Sequence, residues 1–319
     1  MSMKAVFLDY ATMGPGLNLA PLQVLFPALG LFDNTTDEDL AERIRDVEFI
    51  FTNKVRLSGA RLREARSLRF IGLTATGTDN IDLESAKEQG IAVANIRAYC
   101  TRSVVEHVIG TLLMLTHGLD RYNEAVRAGE WQRTTEFCLH AYPIREVAGM
   151  TLGIVGYGAL GQGVAAAATA LGMKVLVAAR TDATQIPADR VSFDELLERC
   201  DVISLHCPLT AQTRGLFNRT TIGRMRQGAI LINTARGALI DSGALVEALR
   251  SGQLFAAAVD VLTHEPPVTG DPLLEYRGAN LVITPHIAWA TDRARQNAID
   301  ELAANVAAFL AGTARNRVV

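Results

Sequence analysis

The second half of the chain alternates short apolar runs with stretches of helical periodicity. From Thr151 to Pro285 the apolar runs are continuous rather than alternating in polarity, as is typical of parallel strands buried on both faces. Six of these runs are predicted strands: Leu152–Val155, Val175–Ala178, Val202–His206, Ala229–Asn233, Ala256–Val261 and Leu281–Thr284. Because helical segments separate most of them, the pattern predicts an α/β fold with a doubly wound parallel sheet.

A second, smaller α/β pattern precedes this region. Its predicted strands are Ala5–Leu8, Glu48–Phe51, Phe70–Ala75 and Ala92–Ile96. The segment Thr101–Arg127 has apolar residues at helical spacing and predicts one long helix that leads into the larger domain. The last amphipathic stretch, 291–311, predicts a helix that returns to the smaller domain. We therefore predict a discontinuous domain, residues 1–98 and 288–319, around a second domain, residues 99–287.

Three glycines mark the turn after the first strand of the larger domain. Gly156, Gly158 and Gly161 form G-x-G-x-x-G between the strand Leu152–Val155 and an alanine-rich helical segment. In this context one glycine permits a tight turn, one lets backbone N–H groups approach a pyrophosphate, and one lets helix and strand pack closely. The helix N-terminus adds partial positive charge. The motif predicts a dinucleotide site; the alternative, a tight turn without a ligand, is disfavoured by the strand–helix–strand context.

The residues after the second of these strands bear on which dinucleotide binds. An NAD site usually has Asp or Glu about 20 residues beyond the first glycine, where it bonds a ribose hydroxyl. This chain has Ala179, Arg180 and Thr181 there. Because a cation suits a 2′-phosphate, the sequence predicts NADP(H) in preference to NAD(H), bound in part by Arg180 and Thr181. Alternatively, Arg180 is a solvated surface residue and Thr181 a turn residue.

Composition and charge narrow the class of protein without adding a site. Apolar residues make up 49% of the chain and charged residues 20%, and the net charge of −3 indicates no nucleic-acid or membrane partner. The N-terminus lacks a signal-peptide pattern, and no apolar stretch reaches the ~18 residues of a membrane span. The cysteines, without a C-x-x-C pair, predict reduced thiols in a cytoplasmic protein and no metal site. They are Cys100, Cys138, Cys200 and Cys207.

Three polar residues follow late strands, where ligands bind in this architecture. Arg236, Glu265 and His286 come after different strands, so we expect them to converge on the nicotinamide end of one cleft. A guanidinium can hold the carboxylate of a 2-oxo acid and polarise its carbonyl. An imidazolium can protonate the oxygen as hydride arrives, and a carboxylate beside it would stabilise its charge and fix its tautomer. His107 and His117, on the predicted long helix, are interpreted as packing or surface residues.

These motifs resemble those of the D-isomer-specific 2-hydroxyacid dehydrogenases over essentially the whole chain. The matching pieces are GIVGYGALG, LHCPLT with Thr213, INTARG, the VDV…EPP segment and TPHIAWAT. The resemblance implies a Rossmann domain, residues 99–287, around which a discontinuous, flavodoxin-like catalytic domain binds the substrate. It also implies a homodimer built mainly on the cofactor domains. The family's catalytic Arg, Glu and His fall on Arg236, Glu265 and His286.

The resemblance also implies binding residues. It places cofactor contacts on Gly156, Gly158, Ala159, Leu160, Gly161, Pro208, Thr213, Ala235 and Asp260. It places a backbone loop that cups the substrate carboxylate on Ala75, Thr76 and Gly77. Trp289 is expected to form a wall of the substrate pocket, and plain packing is the alternative for it. The acid missing at Ala179–Arg180 is the main departure from the family pattern.

Within the family the resemblance is strongest to glycerate dehydrogenases, also called hydroxypyruvate or glyoxylate reductases. Trp289 and the segment AGEWQRTTEFCLHAYPIRE carry this resemblance, and Glu265, where the family's formate dehydrogenases have Gln, argues against formate. We therefore expect reduction of hydroxypyruvate or glyoxylate to D-glycerate or glycolate. One alternative is a dehydrogenase of bulkier 2-oxo acids. Another is a dinucleotide-sensing interaction protein similar to the C-terminal-binding-protein co-repressors.

Overall fold

The chain divides into two units, of which the first is discontinuous in sequence. The computed structural model describes residues 3–180, 183 and 185–319. The first unit comprises Met1–Cys100 and Trp289–Val319, and the second comprises Thr101–Ala288. The assignment of the first unit as a substrate domain stays a prediction.

The elements of the described residues alternate between strands and helices. The strands are β1 (Ala5–Phe7), β2 (Gly30–Leu31), β3 (Phe49–Thr52), β4 (Phe70–Leu73), β5 (Ala92–Ala94), β6 (Thr151–Val155), β7 (Lys174–Val177), β8 (Val202–Leu205), β9 (Ala229–Asn233), β10 (Leu254–Val259) and β11 (Leu281–Ile283). The α-helices are α1 (Ala20–Leu25), α2 (Asp37–Ile44), α3 (Gly59–Glu64), α4 (Leu83–Glu88), α5 (Thr101–His117), α6 (Leu119–Arg127), α7 (Glu130–Arg133), α8 (Ala159–Ala170), α9 (Phe193–Arg199), α10 (Arg219–Gly223), α11 (Ser242–Ser251), α12 (Pro272–Glu275) and α13 (Asp292–Leu310). Short 3-10 helices lie at Tyr10–Met13 and Gly237–Leu239.

The first unit is built on a parallel sheet. Over the described residues it has five strands in the order β2-β1-β3-β4-β5, the order of flavodoxin-like folds. Its aromatic core includes Phe49 and Phe70, both fully buried. Helix α13 packs on β4, where the missing side chain of Gly72 leaves room for Leu302. The sequence missed β2, because two residues are too short a run to show periodicity.

The second unit is a parallel Rossmann sheet. Its order over the described residues is β11-β10-β9-β8-β6-β7. A single bridge between Ala178 and Val191 extends pairing beyond β7. If β6 is counted as the first strand of this unit and the bridge at Val191 as its third, the strand order is 3-2-1-4-5-6 followed by one further strand, β11. The order 3-2-1-4-5-6 is that of dinucleotide-binding folds. The predicted α/β class, with one Rossmann and one flavodoxin-like sheet, is confirmed.

Strand order fixes where a ligand approaches the second unit. The chain reverses direction across the sheet between β6 and β8, and in open α/β sheets ligands bind at the carboxyl ends of the strands at such a switch point. Helix α8 leaves this edge and packs on α5, where a Cβ on Gly163 would come within 2.7 Å of Val105 Cγ2. Small residues therefore let the two helices lie close together.

The prediction of one long helix over Thr101–Arg127 is wrong. The chain forms α5 and α6, separated by Gly118 in the left-handed region at φ +59°. Glycine adopts this conformation without the steric cost of a Cβ, so it ends one helix and starts the next. Of the described helices, none combines the length and the apolar character needed to cross a bilayer.

Candidate active site

The glycine turn has the geometry that a dinucleotide requires. Gly156 follows β6 at φ +96°, where an added Cβ would lie 2.5 Å from Cys207 N. A Cβ on Gly161 would overlap the carbonyl oxygen of Gly156, so α8 begins close against the turn. Gly158, the N-cap of α8, has open space where its Cβ would be. Two glycines therefore serve packing, and the third leaves the helix N-terminus accessible to a phosphate.

A cavity of about 570 Å³ lies beside this turn, between the chain segments that follow β6, β7 and β8. Four of the predicted cofactor residues line it: Gly156, Arg180, Pro208 and Thr213. Among the described residues, the other predicted ones lie outside the wall: Gly158, Ala159, Leu160, Gly161, Ala235 and Asp260. Thr181, also predicted, lies outside the described residues.

The loop after β8 is shaped by its own threonines. The hydroxyl of Thr213 donates to the Pro208 carbonyl at 2.8 Å and accepts from the Thr210 backbone N–H at 2.8 Å. These bonds hold a local turn, so the position of Pro208 in the cavity wall follows from the sequence PLT-x-x-T. The predicted direct contact of Thr213 with a cofactor stays a prediction.

Sequence reasoning missed several residues of the cavity wall. Tyr157, Asp189 and Arg190 line it, and the Arg190 guanidinium lies 4.6 Å from the centroid of the Tyr157 ring. Arg190 Nε also bonds Asp189 Oδ2 at 3.2 Å. A stacked cation and ring that join two loops have no fixed spacing, so no local signal could have found them.

Two buried polar atoms at the carboxyl ends of the strands of the second sheet have no hydrogen-bond partner among the described residues. They are Nδ1 of His206 and Oγ1 of Thr234. His206 follows β8 and Thr234 follows β9, and these strand ends are neighbours because Leu205 pairs with Asn233. Burial lowers the pKa of His206 to about 4, so its ring is neutral near pH 7. Unmet polar groups of this kind are rare in proteins and call for a partner. Together with the glycine turn they fit a nicotinamide dinucleotide.

Arg236 is placed by a bracing asparagine. Asn233, fully buried at the end of β9, donates from Nδ2 to the Arg236 carbonyl at 2.9 Å and accepts from the Ala235 N–H at 3.0 Å. A Cβ on Gly237 would overlap the backbone of Leu262, so the turn after β9 lies directly against the segment after β10. The Arg236 and Glu265 segments are thus brought side by side.

Glu265 and His286, predicted to act together, lie within hydrogen-bond distance of each other, and their catalytic role stays a prediction. His286 Nδ1 lies 2.6 Å from Glu265 Oε2, and Glu265 Oε1 accepts from the Leu262 backbone N–H at 2.8 Å. Both side chains are partly exposed. Because a carboxylate accepts the Nδ1 proton, Nε2 is the ring nitrogen left to exchange a proton with a ligand.

The backbone of His286 is held in an uncommon conformation. Its φ is +57°, in the left-handed region, at a cost of roughly 1–3 kcal/mol for a residue other than glycine. Its N–H donates to the Asp260 carbonyl at 2.8 Å. The Asp260 carboxylate accepts from the backbone N–H groups of Ile287 at 2.8 Å and Ala288 at 2.9 Å. Asp260, predicted to contact the cofactor, therefore also holds the loop that carries His286.

Of the five predicted substrate residues, Ala75, Thr76, Gly77 and Trp289 lie in the first unit, whereas Arg236 lies in the second. Thr76 Oγ1 donates to the Ile96 carbonyl at 2.9 Å, which fixes the loop that follows β4. Trp289 meets Tyr99 edge to face, with ring centroids 6.1 Å apart. Substrate binding by Ala75, Thr76, Gly77 and Trp289 stays a prediction. Among the described residues, no group of His, Cys, Asp or Glu side chains is placed to hold a metal ion.

Comparison with known proteins gives the family. Residues 109–288 match the protein-family model described as D-isomer specific 2-hydroxyacid dehydrogenase, NAD binding domain. A glycerate dehydrogenase of Methylorubrum extorquens is 41% identical over 100% of this chain and 99% of its own. A hydroxypyruvate reductase of Blautia hydrogenotrophica is 39% identical over 99% of each. The crystal structure of the TT0316 protein from Thermus thermophilus is 33% identical over 99% of this chain and 100% of its own, with a TM-score of 0.87.

The Rossmann sheet, the glycine turn and the Glu265–His286 pair define a nicotinamide-dependent oxidoreductase. The chain belongs to the D-isomer-specific 2-hydroxyacid dehydrogenase family. It is a nicotinamide-dependent enzyme that interconverts small 2-oxo acids and D-2-hydroxy acids.

Proposed function

We propose that this enzyme reduces hydroxypyruvate or glyoxylate to D-glycerate or glycolate. The observation that carries the proposal is the 2.6 Å bond from His286 Nδ1 to Glu265 Oε2, beside the segment that carries Arg236. An intact carboxylate–imidazole pair suits proton transfer to a carbonyl oxygen. The names of the similar proteins from Methylorubrum and Blautia refer to glycerate and hydroxypyruvate, which supports this choice of small substrates.

Each residue of the trio has a distinct role in this proposal. Arg236 holds the substrate carboxylate with its planar guanidinium and polarises the adjacent carbonyl. His286 gives a proton from Nε2 to the carbonyl oxygen. Glu265 orients the imidazole through Nδ1 and stabilises its positive charge. The nicotinamide, when bound, supplies the hydride.

We further propose a preference for NADP(H). Arg180 follows β7 in place of the acid that usually bonds the ribose of NAD, and it lines the cavity together with Arg190. Two guanidinium groups favour a ligand with an additional phosphate. Asp189 also lines the cavity and is the group there that would favour NAD(H) instead.

The cofactor proposal is tested by binding of adenosine nucleotides. Wild-type protein is expected to bind 2′,5′-ADP more tightly than 5′-AMP in calorimetry. The double change Ala179→Asp and Arg180→Ile should reverse this order, because it restores the acid and removes a cation. Equal affinities of the wild type for both nucleotides would contradict the proposed preference.

We also propose a cytoplasmic homodimer. All four cysteines are free thiols, and burial raises the pKa of Cys200 to about 12, which keeps that thiol unreactive. Several large apolar side chains of the second unit are exposed within one sequence segment, residues 119–144, which we propose as the dimer interface. They are Leu119, Val126, Trp131, Phe137 and Ile144.

The substrate proposal is tested by a steady-state panel. Hydroxypyruvate, glyoxylate, pyruvate and phenylpyruvate are each assayed with NADH and with NADPH. Hydroxypyruvate or glyoxylate should give the highest kcat/KM. Preference for phenylpyruvate would favour a dehydrogenase of bulkier substrates, and cofactor binding without turnover of any substrate would favour an interaction protein.

A further inference from the structure

Helix α5 is bonded to the loop that carries His286. Ser103 Oγ donates to the Ala288 carbonyl at 2.6 Å. One turn further along the helix, His107 Nε2 lies 3.3 Å from Thr284 Oγ1. Thr284 and Ala288 lie on either side of His286 along the chain. All of these residues belong to the second unit. The catalytic loop is thereby attached to a long helix as well as to its own sheet.

The direction of the hydrogen bonds in this network is determined by chemistry. Thr284 Oγ1 lies 2.5 Å from Asp260 Oδ1, and a carboxylate only accepts, so the single hydroxyl proton of Thr284 points to Asp260. Toward His107 the same oxygen can then only accept. His107 Nε2 therefore carries a proton and donates it to Thr284.

The Asp260 carboxylate, at the end of this series of hydrogen bonds, fixes the backbone conformation around His286. Asp260 Oδ1 also accepts from the Ile287 N–H, and Oδ2 accepts from the Ala288 N–H. As a whole residue, Asp260 is only 2% exposed. Its carboxylate accepts hydrogen bonds from groups that lie on both sides of His286 along the chain. Rotation of this carboxylate would release the amides that hold His286 at φ +57°.

We propose that His107 and Thr284 are positioning residues for His286. Their bonds orient the Asp260 carboxylate, which fixes the left-handed backbone of His286 and thereby aims its imidazole at Glu265. This inference rests on the proposed function of His286 as proton donor. The sequence around His107, on an apolar helix, does not indicate this role. The role depends on a contact with Thr284, which lies 177 residues away in the sequence.

Two matched pairs of variants test the assignment. Thr284→Val removes the hydroxyl and keeps the shape, whereas Thr284→Ser keeps the hydroxyl. His107→Leu removes the donor, whereas His107→Gln offers an amide N–H in its place. Misplacing a catalytic group by a fraction of an ångström slows chemistry, so Thr284→Val and His107→Leu should lower kcat by about tenfold or more. Thr284→Ser and His107→Gln should retain most of it, and all four should bind NADPH as the wild type does.

NMR of histidine-labelled protein supplies a readout that does not depend on turnover. The Cε1–H resonance of His286, identified by its absence from His286→Ala, should be single and sharp in wild type and Thr284→Ser. It should shift or broaden in Thr284→Val and His107→Leu. If Thr284→Val does not fold, His107→Leu gives the same comparison.

Three results would overturn the assignment. The first is an unchanged His286 resonance and kcat in both Thr284→Val and His107→Leu. The second is a loss of kcat matched by an equal loss of NADPH affinity, which would indicate a general structural role. The third is failure of the conservative variants to restore kcat. Full turnover by His286→Ala would instead contradict the proposed function and leave the NMR comparison to decide on positioning.

Discussion

At the scale of single residues, the site depends on one short hydrogen bond. His286 Nδ1 and Glu265 Oε2 are 2.6 Å apart, and the second oxygen of Glu265 is fixed by the Leu262 N–H. The carboxylate therefore has one orientation and selects one tautomer of the imidazole. Since both side chains remain partly exposed, Nε2, the ring nitrogen that does not face Glu265, can meet a substrate.

Removing the charge of Glu265 while keeping its shape tests this arrangement. In Glu265→Gln the amide oxygen can still accept from Nδ1, but it no longer stabilises a positive imidazole. We expect kcat to fall by about tenfold to a hundredfold, with the NADPH dissociation constant unchanged. Steady-state kinetics and fluorescence titration check the two quantities. Wild-type kcat in this variant would show that the charge of Glu265 is not used.

His206 is predicted to make stability depend on pH. Its folded pKa of about 4 lies below the ordinary 6.5, so between these values the unfolded chain binds a proton that the folded chain does not. The free energy of unfolding should therefore fall as pH drops from about 6.5 to about 4. Urea unfolding across this range should show a shallower decline for His206→Gln than for wild type. Parallel curves would mean that His206 is as easily protonated folded as unfolded.

At the scale of elements, the site is made by turns that pack on one another at the carboxyl edge of the second sheet. The turn after β9 carries Arg236, and the segment after β10 carries Glu265. Gly237 allows them to touch, because any side chain there would overlap the backbone of Leu262 and Thr263. The close approach of the segments that carry Arg236 and Glu265 thus depends on the absence of one Cβ.

Adding that Cβ should disturb catalysis. In Gly237→Ala the turn must move away from Leu262, which displaces the guanidinium of Arg236. We expect kcat/KM for hydroxypyruvate to fall by about tenfold or more. Gly223→Ala is the matched control, since Gly223 on α10 has open space around the position of a Cβ. Equal kinetics for the two variants would contradict the proposed role of the close approach.

The elements also show which structural features can be predicted from the sequence and which cannot. The buried strands of the second sheet are continuous apolar runs, so their positions were predictable. The bridge at Val191 is one residue long and carries no period. The stacking of Arg190 on Tyr157 and the bond from His107 to Thr284 arise only when distant loops meet. Local pattern yields the proposed reacting residues, whereas the residues that support them are brought together only by tertiary contacts.

At the scale of the whole molecule, the chain interrupts one α/β unit with another. The first unit is completed only by the last helix, α13, which packs against β4 and α1. The second unit carries the glycine turn, the trio and the network from α5. It also carries the exposed apolar segment from which we propose a homodimer.

Dimer formation is expected to depend on that segment. Phe137 is 91% exposed and Val126 47%, so covering them in a dimer would remove apolar surface from water. Light scattering should give the wild type twice the chain mass of 34.4 kDa. Phe137→Asp and Val126→Asp should shift it toward one chain mass. Val268→Asp is the control, because Val268 is 87% exposed but lies outside the segment; an equal effect there, or a monomeric wild type, would contradict the proposal.

The most direct test of the account is the reaction of His286→Ala with hydroxypyruvate. Turnover is followed by NADPH absorbance, and cofactor binding by fluorescence on the same preparation. If His286 is the proton donor, kcat should fall by about a thousandfold while the NADPH dissociation constant stays within about twofold of the wild-type value. Turnover near the wild-type rate, with NADPH binding intact, would contradict the assignment of the catalytic trio.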